Sequence, residues 1–172
     1  IDYFQCNPFN NITDLGTSPE PEKPKMSELA LTSLTSIAKL LQNRELSPVE
    51  ITRQMLQRIE SLDAVHHSYV TVMGEQALAQ AQSAEQDIST GNIRGPLHGV
   101  PIAIKDLCYT PGIPTSCGAA MMADWAPEEE ATVVTKLKNA GAVILGKLHM
   151  TEFALRWHHP YRPVPVNPWG AN

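Results

Sequence analysis

The stretch Gly99-Val100-Pro101-Ile102-Ala103-Ile104-Lys105-Asp106 decides how this chain is read. Val100 to Ile104 form a short apolar run of the kind that fills a strand buried on both faces of a parallel sheet. The run closes on a lysine and an aspartate, residue types almost never fully buried unless paired or functional. A charged pair closing such a strand predicts a functional strand end. Lys105 is its candidate catalytic group, and Asp106 an acceptor that orders the following loop.

Helical spacing of Leu34, Ile37, Ala38, Leu40 and Leu41 predicts a helix from Ser33 to about Asn43. Ser47-Pro48-Val49-Glu50 combines a capping serine, a proline at the first helical position and a glutamate three residues after the cap. With Ile51, Met55, Leu56, Ile59 and Leu62 on one stripe, it predicts a helix over 48–62. Tyr69 to Met73 read as a strand, and the Ala- and Gln-rich stretch from Glu75 to Ile88 as a helix ended by Gly91. Beyond Lys105, Pro111, Gly112 and Pro114 enforce a loop through residues 107–118. Thr132 to Ala140 read as a helix stopped by Gly141, and Ala142 to Leu145 as a buried strand. The order of strand, helix and strand predicts an α/β fold with parallel pairing through right-handed crossovers. Residues 1–25, rich in proline and asparagine and without periodicity, read as a weakly ordered leader.

A net charge of -5 supplies no basic field, so direct nucleic-acid binding is not expected. No apolar stretch approaches the roughly 18 residues of a membrane span, so no membrane association is expected either. The three cysteines, Cys6, Cys108 and Cys117, lack metal-ligand spacing and read as free thiols of a reducing compartment. Adjacent histidines, His66-His67 and His158-His159, are poor ligand pairs, because neighbours in sequence point apart on either a helix or a strand. The histidines are therefore expected in solvent or loops, with no metal bound. Gly146-Lys147 resembles the end of a phosphate loop begun at Gly141, but Leu148 stands where the hydroxyl is needed. Glu128, Glu129 and Glu130 suit the positive end of the helix predicted at 132.

A desolvated lysine loses its proton more easily and can act as a general base, the role open to Lys105. The wording of the chain adds to this. Pro96-Leu97-His98-Gly99-Val100-Pro101-Ile102-Ala103-Ile104-Lys105-Asp106, then Gly112-Ile113-Pro114-Thr115-Ser116, then Ala140 to Ala154, and finally Asn167-Pro168-Trp169, resemble in order the amino-terminal part of amidase signature hydrolases. The resemblance implies a mixed sheet covered by helices, with residues 26–172 forming the amino-terminal portion of a single amidase domain. A carboxy-terminal portion, in the same or a separate chain, would complete it.

In that family a lysine, a serine held by a cis peptide bond and a nucleophilic serine form the catalytic set. Lys105 occupies the lysine position, and the serines belong to a stretch beyond Asn172. The loop 107–121 is implied to wall the acyl pocket through Leu107, Tyr109, Cys117, Gly118 and Met121. Glu152 would anchor a turn, and Phe153 would fill the core. The implied reaction is hydrolysis of a small-molecule amide in the cytoplasm, without metal or organic cofactor. An amidotransferase-type subunit is the closest enzymatic alternative. A catalytically silent fragment or binding module is the alternative of a different class.

Overall fold

A computed structural model describes residues 29–170. The leader expected over 1–25, and Cys6 within it, lie outside the described residues.

Helix α1 (Leu34–Gln42) starts where Ser33 stops: the serine hydroxyl accepts the Ser36 N–H at 3.2 Å, satisfying one of the orphan donors of the first turn. Its Ile37, Ala38 and Leu41 pack with Leu46, Ile51 and Val100, so this helix closes the start of the Lys105 strand. Helix α2 (Pro48–His66) is capped as its sequence predicts, with the Ser47 hydroxyl 3.1 Å from the Glu50 N–H. It runs one turn past residue 62 and ends at a left-handed His67, φ 51°. The Asp63 carboxylate accepts from the N–H groups of Ser68, 2.7 Å, and Tyr69, 3.2 Å. That ties the helix end to the strand that follows.

Among the described residues, strand β1 (Tyr69–Val72), helix α3 (Gly74–Ser89), strand β2 (Pro101–Lys105), helix α4 (Thr132–Asn139) and strand β3 (Val143–Leu148) follow, with 3-10 turns at Ala120–Met122 and Glu152–Ala154. The sheet order is β1-β3-β2. β2 and β3 are parallel, joined by the crossover that carries α4, as expected. β1 departs from the expected parallel pairing, because it runs antiparallel to β3. After α3 the chain passes to the far side of β3, so β1 and β2 flank that strand and never meet.

β2 also differs from its predicted surroundings. Among the described residues it has a neighbour on one side only, and of its five residues Ile104 alone is buried. The strand buried on both faces is β3, whose residues from Val143 to Lys147 are all buried. Met73, Ile104, Val134 and Ile144 pack on one face against α4. Ala77, Ala81, Val143 and Leu145 pack on the other against α3 and the stripe of α2.

A register shift between Ile102 and Ala103 breaks the β2–β3 ladder locally, and the Ile144 N–H there donates to the Gln80 side-chain oxygen at 2.8 Å. Gly146 pairs with Val72 on one side and Ala103 on the other, and a Cβ there would lie 2.2 Å from the Thr71 carbonyl oxygen. Backbone cannot swing aside as a side chain does. Gly146→Ala is therefore expected to pry β1 from β3 and to destabilise by about 1–3 kcal/mol or more, measured as a lowered denaturation midpoint.

Candidate active site at the end of the parallel strand pair

Lys105 is the last residue of β2, and its side chain is exposed. Its carbonyl accepts the Cys108 N–H at 2.9 Å, closing a tight turn. The next residue behaves oppositely: Asp106 is 1% exposed. Its N–H donates to the Leu148 carbonyl at 3.2 Å, extending the pairing of β2 with β3 by one residue. Its Oδ2 accepts the Ser116 N–H at 3.0 Å and the Ser116 hydroxyl at 2.6 Å. Asp106 thus orders the loop, as its sequence position suggests.

The second oxygen of Asp106 faces a cation. Lys147 on β3 is 0% exposed, and its Nζ lies 3.4 Å from Asp106 Oδ1. Nζ also donates to the Thr115 hydroxyl at 2.7 Å, which in turn donates to the Ile113 carbonyl at 3.2 Å. Burial pulls the Lys147 ammonium below its ordinary pKa, and the Asp106 carboxylate opposes that pull. Lys147, not Lys105, is the charge buried within the strands. The signal was present in the sequence: a lysine within the apolar run Val143 to Leu148.

Loop and strand ends are clamped together next to this pair. Gly118 has φ +73° and sits so close to the 150–151 backbone that a Cβ would lie 2.6 Å from the Met150 carbonyl oxygen. Its N–H donates to the Ser116 hydroxyl at 3.3 Å, while the Cys117 carbonyl accepts the Phe153 N–H at 2.8 Å. Of the residues expected to wall a pocket, Cys117 and Gly118 are buried in this clamp. Leu107, Tyr109 and Met121 are exposed. Tyr109 stacks edge-on against Trp125, ring centres 5.0 Å apart, a contact that fixes both half-exposed rings. Burial raises the Cys117 thiol pKa, and nearby Asp106 adds to it, so the group is held as an inert thiol.

One expectation near the site needs correction. Phe153 does not fill the core; it has φ 48° and is 44% exposed, because the turn that holds it is closed by backbone bonds instead. One of those bonds is Glu152 N–H to the Trp157 carbonyl, 3.0 Å. His98 is a loop histidine, in the turn over 96–99. It is buried at the opposite end of the sheet from Lys105, with Nδ1 accepting the Arg94 N–H at 3.0 Å, and burial lowers its pKa.

Chemically, the end of β2 presents one exposed amine on a rigid stem. The carboxylate and second ammonium behind it are sealed from solvent and face each other at 3.4 Å.

The Amidase family model matches residues 50–172. A putative amidase, AmiD, from Mycobacterium tuberculosis is 49% identical over 148 residues, spanning 85% of this chain and 31% of the relative. A relative from a Geobacter species, one subunit of glutamyl-tRNA(Gln) amidotransferase, is 49% identical over 115 residues, spanning 67% of this chain and 24% of the relative. Among solved structures, an amidase family protein from Bacillus anthracis superposes with a TM-score of 0.75 at 29% identity, covering 84% of this chain and 30% of the other. Peptide amidase from Stenotrophomonas maltophilia does so with a TM-score of 0.67 at 31% identity, covering 72% and 26%. The chain spans about a third or less of the length of these curated relatives. Family match, relatives and shared fold agree: the chain belongs to the Amidase family, the amidase signature enzymes.

Proposed function

We propose that this chain supplies Lys105 as the general base of an amide hydrolase whose serines lie outside residues 1–172. The observation that carries the reading is the contrast at the end of β2, where Lys105 is exposed and its neighbour Asp106 is buried and bonded. In this role the Lys105 amine takes a proton, through an intervening serine, from the hydroxyl that attacks the amide carbonyl. The same proton returns to the departing amine as the C–N bond breaks, leaving a serine ester. Water, deprotonated by the same route, then hydrolyses the ester and releases the acid. The exposed Leu107, Tyr109 and Met121 stand on the loop after Lys105 and would offer an apolar wall to the acyl group of a small-molecule amide.

The amidotransferase relative supports a second version of this reading. There, the ammonia freed at the same lysine would pass to another acceptor instead of being released. Both versions share the serine ester, and cytoplasm is the compartment expected for either.

Hydroxylamine tests that ester. In the enzyme completed by its serine-bearing portion, added hydroxylamine should intercept the ester and yield a hydroxamate from an aryl amide substrate, at a rate that saturates with substrate. Turnover without hydroxamate would argue against the covalent route.

A further inference from the structure

We propose that Lys147 is a positioning residue for Lys105, acting through Asp106; the inference rests on the reading of Lys105 as the base. Lys147 cannot itself touch a substrate, being 0% exposed on the middle strand. Stability alone does not account for it, because a buried ion pair replaced by well-packed apolar groups of similar volume is often neutral or better. What the pair supplies is direction. Its ammonium binds Thr115 of the loop at 2.7 Å and faces Asp106 at the end of β2 at 3.4 Å. The carboxylate then grips Ser116 twice, so three segments, the end of β2, the loop at 113–118 and β3, meet on one pair of charges.

Asp106 is the residue after Lys105, and rotation about its backbone moves the stem of the base. The β2–β3 ladder fixes the backbone at the end of β2 through the Asp106 N–H to Leu148 carbonyl bond. The ion pair adds a constraint beyond the ladder, on the side chain of Asp106 itself. A shift of about 1 Å in a reacting group is enough to lower turnover roughly 100-fold.

The test uses the completed enzyme, with kcat and KM for an aryl amide measured per folded molecule, counted from the amplitude of the cooperative thermal melt. Lys147→Met should lower kcat by roughly 10- to 100-fold with KM nearly unchanged. In a Lys105→Ala background the same change should lower the residual kcat little further, because the group being positioned is gone. Thr115→Val, which removes the acceptor at Nζ and keeps the side-chain shape, should act in the same direction with a smaller loss. It carries the same comparison if Lys147→Met does not fold. A loss that persists undiminished in Lys105→Ala, or one confined to KM, overturns the positioning role alone. Wild-type turnover by Lys105→Ala overturns the reading of Lys105 as the base, and the positioning role with it.

Discussion

Lys105→Ala in the completed enzyme is expected to lower kcat by about 10²–10⁴-fold, the usual worth of a positioned general base, while the melting temperature stays where it was. The two halves of this result come from one feature. Within residues 29–170 Lys105 is exposed at a strand end and fills no core cavity, so truncating it removes no side chain packed in this portion. Steady-state kinetics and a thermal melt on the same preparation separate them. A melt that fell along with kcat would make Lys105 a structural residue, and retained turnover would remove it from the proposed mechanism.

Asp106→Ala is expected to do the reverse and to act first on stability. It leaves the Lys147 ammonium at 0% exposure without its carboxylate, and removing one partner of a buried pair typically costs about 3–5 kcal/mol. The pH dependence carries the signature of this cause. Burial already lowers the Lys147 pKa, and Asp106 is the main group raising it, so its loss lowers the folded-state value further. The unfolded chain, with lysine near its ordinary value of about 10.4, then holds the proton more tightly than the folded one. Stability must rise with pH between the two values. Denaturation midpoints of the variant should therefore recover toward wild type as pH is raised from neutral toward about 10. A deficit that stayed constant over that range would mean the loss comes from the broken Ser116 bonds alone.

How much of this was legible in the sequence depended on how local each cause was. The cap at Ser47 involves four consecutive residues, and the helix began where they said. The parallel pairing of β2 with β3 followed from a strand, a helix stopped by Gly141 and a second strand, a unit whose handedness is fixed by twist. The direction of β1 was not legible, because it depends on the chain passing across β3 after α3, a matter of tertiary packing. Which of two lysines is sealed within these residues was hidden for a similar reason. Both close or interrupt an apolar run, but the number of neighbouring strands, not the run, decides which is sealed. In Gly146-Lys147 the likeness to a phosphate loop, failing at Leu148, masked the buried ammonium one residue before it. Phe153 was expected inside on hydrophobicity alone, whereas the Cys117 carbonyl and the tight turn at 152–154 hold its backbone and leave the ring outside.

Among the described residues, the strand at the middle of the sheet is the last of the three. As the polypeptide is synthesised, β1 and β2 leave the ribosome with no partner between them, since neither pairs with the other. Helices α1 to α3 can collapse on their own apolar stripes during this time, but the sheet cannot form until Val143–Leu148 emerges. The nascent chain therefore carries two unpaired strands at once through the whole translation of the loop and α4. That interval is when a chaperone has most to protect.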